Sequence, residues 1–139
     1  MVMNLAKCLI RFMLGKYRVV SDLEKAFLNI KVKKGHRDAL RFFWPKNPED
    51  PNSPLEVWRY RVVLFGSISS PFLLAIILEK IIEEDITNKY VREMLYNNIY
   101  VDNLNIGLNN EEILPVLYKE SREKFGNRGF NIRKWVSNR

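Results

Sequence analysis

Cysteine is almost missing from this chain. Cys8 is the one cysteine among 139 residues, so no internal disulfide forms and no Cys/His set offers zinc-ligand spacing. Histidine is equally scarce. His36 lies in the basic stretch Lys31–Arg41 and reads as a solvated polar residue, not as a ligand or a general base. No run of about 18 uncharged apolar residues occurs, so no membrane span is expected. The start, Met1–Leu14, is apolar but carries Lys7 and Arg11 and lacks a clean small-residue cleavage site. Those features argue against a secretory signal, and the single cysteine suggests a reducing compartment, cytoplasmic or nuclear. No acidic residue precedes Asp22. A basic amphipathic start of that kind imitates a transit peptide, which is the weaker reading. Internal repeats and low-complexity tracts are absent.

What the chain does have is apolar mass and positive charge. A hydrophobic share of 47% in a length typical of one domain supports a buried core and argues against disorder. The net charge of +7 favours a polyanionic partner, although solubility alone also explains it. The basic residues cluster at Lys31, Lys33, Lys34, Arg37 and Arg41, at Arg59 and Arg61, and again from Arg122 to Arg139.

Periodicity gives a coarse order of elements. Met3–Leu14 reads as an amphipathic helix that stops at Gly15. Tyr17–Val20 reads as a strand ending at Ser21-Asp22, either of which caps a short helical turn through Phe27. Ala39–Trp44 and Val57–Leu64 read as strands. Four prolines between Pro45 and Pro54 exclude a regular element there, which leaves a hairpin with a long exposed loop. Pro71 suits the first turn of a long helix with Phe72, Leu73, Ile76, Ile77, Leu78, Ile81 and Ile82 on one apolar face. Ile99–Asp102 and Leu104–Leu108 form a second hairpin. Asn110 caps a helix from Glu111 that turns Leu114, Leu117, Ser121 and Phe125 inward and ends at Gly126 and Gly129. Phe130–Ile132 is a last short strand. This mixture predicts an α+β fold, an antiparallel sheet with helices packed on one face.

Two acids stand at positions where chemistry is feasible. Asp22 ends a strand and Asp102 sits at a hairpin tip, and rigid elements of that kind can bring carboxylates together for a divalent cation. Taken singly, each is an ordinary cap or turn residue.

The motifs resemble those of reverse transcriptases. Ser21–Ile30 looks like the family's first catalytic motif, Leu64–Phe72 like the second, and Tyr100-Val101-Asp102-Asn103 like the third. Arg37–Trp44 and Gly129–Asn138 resemble the corresponding parts of Bel/Pao-type retrotransposons. Together they span nearly the whole chain in the family order. The resemblance implies a palm-like sheet over residues 1–29 and 70–139 with a partial fingers hairpin over 30–69. It implies RNA-templated DNA synthesis from deoxynucleoside triphosphates, a nucleotidyl transfer that uses two Mg2+ (or Mn2+) ions. Asp22 and Asp102 then match the catalytic metal ligands, beside the carbonyl of Leu23. Phe27 matches the ring that excludes a ribose 2′-hydroxyl. Phe65, Gly66, Ser70 and Pro71 match the nucleotide-contacting stretch, and Lys134 matches a late lysine that donates a proton to pyrophosphate. The implied partners are an RNA or DNA template-primer, an incoming nucleotide and the polymerase subdomains not present here, with no membrane.

Two departures temper that expectation. Asn103 stands where the family has an aspartate, and an amide carries no charge with which to hold a cation. Thumb, full fingers and ribonuclease H segments are not in the sequence. Catalysis is therefore expected to be impaired or lost. The rival readings are a basic nucleic-acid-binding module without chemistry, and a remnant that acts as one part of a split assembly.

Overall fold

The computed structural model describes residues 4–138. In chain order the elements are α1 (Leu5–Leu14), β1 (Tyr17–Leu23), β2 (Arg41–Pro45), β3 (Leu55–Arg59), α2 (Ser70–Asp85), α3 (Lys89–Asn98), β4 (Ile99–Tyr100), β5 (Asn103–Leu108), α4 (Ile113–Asn127) and β6 (Ile132–Ser137), with 3-10 turns over Ala26–Asn29 and Lys34–Leu40. The chain divides into two units. One joins the segment up to Ala26 with everything from Pro71 onward, and the other is Phe27–Ser70.

The first unit is built on an antiparallel four-stranded sheet in the order β4-β5-β1-β6. Alternation along β1 and β5 gives the sheet two chemically different faces. Val19, Ser21 and Leu23 are buried, as are Leu104, Ile106 and Leu108, and the register sets Val19 opposite Ile106 and Ser21 opposite Leu104. The core is completed by Leu74, Leu78 and Ile82 of α2, Val91 and Leu95 of α3, and Leu117 and Phe125 of α4, all buried. A mixed helix and antiparallel-sheet fold is thus what the sequence predicts and what the chain forms.

The sequence predicts helices on one face of that sheet; instead they lie on both faces. A side chain at Gly107 would collide with the main chain of Arg11 and Phe12 in α1. Gly107 alternates with the buried Ile106 and Leu108, so α1 lies on the opposite side of β5. Gly15 meets Gly107 in the same crossing, its would-be Cβ only 2.5 Å from the Gly107 main chain. Gly15 has φ −74°. It closes the helix by permitting close approach rather than by a left-handed turn.

Other boundaries move for physical reasons. β1 runs on through Asp22 and Leu23 because it is paired on both edges. The helical turn therefore begins at Ala26 and not at a Ser21 or Asp22 cap. The last strand starts at Ile132, not Phe130. Gly129 at φ +84° ends the turn after α4, and Phe130 folds into the core at 3% exposure. In α2 the buried stripe runs through Leu74, Ala75, Leu78, Ile81 and Ile82, while Phe72, Leu73 and Ile76 face out. Leu114 is only half-buried, and Asn110 accepts from the Glu112 N–H at 3.0 Å just ahead of a helix that starts at Ile113. Helix α3 has no counterpart among the sequence expectations. Its apolar positions are few, and its start is fixed by polar contacts. Asn88 accepts from Tyr90 N and Val91 N, and the Glu120 carboxylate accepts from Thr87 N, Thr87 Oγ1 and Asn88 N. An acid there complements the helix dipole. The expected helix start at Met3 lies outside the described residues.

The second unit carries the hairpin of β2 and β3. Arg41 pairs with Arg59 and Pro45 with Leu55, so the proline-rich segment is the connecting loop, as expected. The second strand stops at Arg59 instead of reaching Leu64. Beyond it, pairing continues through Tyr60 N to the Leu40 carbonyl and through a bridge between Val62 and Lys31.

Candidate active site

Asp22 sits near the end of the central strand, opposite Asn103 on one side and Arg133 on the other. Residues directly opposite in an antiparallel ladder point to the same face. Asp22 and Asn103 therefore share the face away from the Leu104–Ile106 core. On the β6 side the register slips between Val20 and Asp22. Val20 pairs with Val136 but Asp22 with Arg133, so β6 carries one extra residue. That bulge contains Lys134, whose φ of +52° lies where a side chain is disfavoured. Bulges re-aim side chains. Here the outcome is an ion pair, with Lys134 Nζ 3.4 Å from Asp22 Oδ2.

The hairpin tip is strained too. Val101 has φ +56°, a genuine outlier for a β-branched residue, which costs about 1–3 kcal/mol and occurs mainly where function requires it. The tip is tied to the central strand because the Leu23 N–H donates to the Asp102 carbonyl at 2.8 Å. The Asp102 backbone is thus held beside Leu23, next in sequence to Asp22. Asn103 Nδ2 donates to Asp102 Oδ1 at 2.9 Å. An ionised carboxylate only accepts, so it is the N–H of the amide that meets it.

A brace that sequence reading did not single out lies alongside. Glu24 pairs with Arg133 at 2.9 Å, and Asn131 Nδ2 donates to Glu24 Oε2 at 2.9 Å. The Glu24 N–H also donates to the Asn131 carbonyl. Glu24 is two residues from Asp22, a weak local signal. Its partners are more than a hundred positions away, so no pattern in the sequence reveals them.

The remaining candidates lie in or at the edge of the second unit. Phe27 is buried at 5% exposure and meets Phe65 edge-to-face, with ring centroids 4.8 Å apart. Gly66 has φ +83° with open space where a Cβ would be, so its backbone angle, not crowding, requires glycine. Ser70 Oγ donates to the Leu64 carbonyl at 2.6 Å, and Ser70 N donates to the Ser67 carbonyl at 3.0 Å. These bonds close the loop between Leu64 and Ser70, and Pro71 follows in the first turn of α2.

The donor set can be weighed against a divalent ion. Asp22 and Asp102 offer hard carboxylate oxygens, and Asn103 and the Leu23 carbonyl offer neutral ones. Among the described residues, no three His, Cys, Asp or Glu side chains gather into a metal-binding group. Lys134 Nζ lies 3.4 Å from Asp22 Oδ2, and the Asn103 amide donates to Asp102. With two carboxylates and neutral oxygens, the set would hold divalent cations with less charge than three carboxylates supply.

Among known proteins, the family model described as reverse transcriptase (RNA-dependent DNA polymerase) matches residues 8–135. No curated protein matches the chain.

Proposed function

Since the chain belongs to the reverse transcriptase family, we propose that it is the palm and partial fingers of a Bel/Pao-type retrotransposon enzyme whose nucleotidyl transfer is impaired. Reverse transcriptases generally use divalent metals and bind a template-primer and deoxynucleoside triphosphates. In this reading, residues 1–29 and 70–139 are palm-like and 30–69 are the fingers part. That the segment Phe27–Ser70 forms its own compact unit supports the division.

The observation that carries the reading is the pair of contacts on the two carboxylates. In the family pattern Asp102 is followed by a second acid. Here Asn103 donates to it at 2.9 Å, which uses a lone pair a cation would need. Lys134, at 3.4 Å from Asp22, does the same for the other ligand. Lys134 is then a charge-balancing partner of Asp22 in the nucleotide-free chain, and by the family pattern would be the proton donor to pyrophosphate. Mg2+ or Mn2+ would supply charge neutralisation for the transferring phosphoryl group, and the chain's own residues are one negative charge short of holding two ions. By the family pattern Phe27 would sort sugars by clash with a 2′-hydroxyl; its ring is buried against Phe65, so that role requires Phe65 to move aside. The turn at Gly66 and the start of α2 at Ser70-Pro71 would present backbone to a nucleotide.

Primer extension on an RNA template tests this, with the natural chain beside Asn103→Asp and Asp22→Asn. Incorporation by Asn103→Asp alone is expected. Incorporation by the natural chain refutes impairment. The rival reading, a nucleic-acid-binding module without chemistry, is favoured by the basic and aromatic surface of the second unit. It predicts salt-sensitive binding with no metal requirement.

A further inference from the structure

Two cations of β6, not one, stand within reach of Asp22. Lys134 touches it through a single contact at 3.4 Å, and the lysine side chain is 73% exposed. The other is Arg133, which the register places directly opposite Asp22 on the β1–β6 ladder. Side chains opposed in an antiparallel pair start about 5 Å apart and point to the same face. Arg133 is thus well placed to take the Asp22 carboxylate. A guanidinium does so through two parallel N–H bonds, a tighter and more ordered contact than an ammonium makes. Arg133 goes elsewhere. Its Nη1 lies 2.9 Å from Glu24 Oε1.

Glu24 is oriented to hold it there. Asn131 Nδ2 donates to Glu24 Oε2 at 2.9 Å, so different partners take the two carboxylate oxygens and fix the plane of the group. The Glu24 N–H donates to the Asn131 carbonyl at 2.8 Å, which anchors the backbone from which the side chain reaches. Stability alone does not account for this brace, because an ion pair this exposed contributes little.

We infer that Glu24 is a positioning residue that keeps the Arg133 guanidinium off Asp22. With Arg133 diverted, Asp22 retains the lysine contact, which is flexible, strongly hydrated and readily displaced by a divalent cation. Without Glu24, Arg133 turns to the acid it opposes and closes it with a fork that an arriving cation has to break. The inference rests on the family reading in one respect, that Asp22 is a cation ligand. The diversion of Arg133 stands on the register and on the Glu24 contacts alone.

Two measurements on the full chain test it, the first without metal. Arginine side-chain NMR of the natural chain is expected to place the Arg133 guanidinium beside Glu24, and that of Glu24→Gln to place it on Asp22. A Glu24→Gln spectrum in which Arg133 makes no contact with Asp22 overturns the inference. The second is Mn2+ affinity by titration calorimetry in the Asn103→Asp background. Adding Glu24→Gln is expected to weaken Mn2+ binding about tenfold, the scale of one hydrogen bond to a charged group. Adding Arg133→Gln as well is expected to return the affinity to within about twofold of the background, since the competing guanidinium is gone and the net charge is restored. A merely structural Glu24 predicts the opposite, a double variant no better than the single one. Arg133→Gln alone leaves Glu24 in place and is expected to bind Mn2+ at least as tightly as the background. A loss there, no effect of Glu24→Gln, or no recovery in the double variant each overturns the inference. Mn2+ uptake by Asn103→Asp that is indifferent to Glu24 would sink this role and leave the family reading intact. No uptake by Asn103→Asp, with Arg133 moving onto Asp22 in the metal-free Glu24→Gln spectra, would do the reverse.

Discussion

Asn103→Asp is the substitution whose outcome has opposite signs with and without metal. Without metal it removes the amide that donates to Asp102 at 2.9 Å, worth about 0.5–1 kcal/mol at an exposed site. It places a carboxylate directly opposite Asp22 on the ladder, where like charges cost roughly 0.2–1 kcal/mol. It also sets two adjacent acids against each other, about 1 kcal/mol at 4 Å in water. The metal-free variant should therefore be destabilised by about 2 kcal/mol, a fall in melting midpoint of roughly 5–10 °C for a domain of this size. With Mn2+ at ten times its dissociation constant, binding returns about 1.4 kcal/mol and recovers most of the loss. Thermal denaturation in chelator and in Mn2+, with titration calorimetry for the ion, reads both effects. The natural chain should respond to Mn2+ weakly or not at all. Equal Mn2+ stabilisation of both chains, or no loss in chelator, would refute the reasoning.

Three further outcomes follow from the packing. Gly107→Ala sets a methyl group against the main chain of Arg11 and Phe12, which no rotamer relieves, and should cost about 1–3 kcal/mol; an unchanged denaturation midpoint would contradict the α1 crossing. Phe125→Ala empties a fully buried position and should cost about 3–5 kcal/mol by urea unfolding. Arg128 hydrogen-bonds Asp85 at 2.7 and 2.9 Å and holds its carboxyl below the ordinary carboxylate range. A depressed acid contributes stability above its unfolded pKa of about 3.9, and the contribution is lost as pH falls through the lower folded value. Arg128→Gln should thus be less stable than the natural chain at neutral pH, with the difference vanishing in strong acid. A gap that persists there would point to lost packing instead.

Much of the fold is legible because local rules and tertiary demands agree. The proline-rich loop, the Pro71 helix start and the hairpin tip at Asp102 all follow from residue chemistry within a few positions. Helix α3 does not, because its start is set by Glu120, some thirty residues away, and its apolar content is low. The end of β1 was not legible either, since pairing on two edges outweighs the capping tendency of Ser21 and Asp22.

The same division holds for the site. Sequence alone determined the family motifs, the lone Asp102 followed by Asn103, and the positive charge. These are covalent facts, and each limits chemistry wherever the residues fall. Only the tertiary structure decided that a bulge in β6 turns Lys134 onto Asp22 across 112 positions of chain, and that Arg133 stands opposite Asp22 yet pairs with Glu24. Both depend on which strands pair and in what register, which is set by burying one face of a sheet and not by any residue's neighbours in the chain.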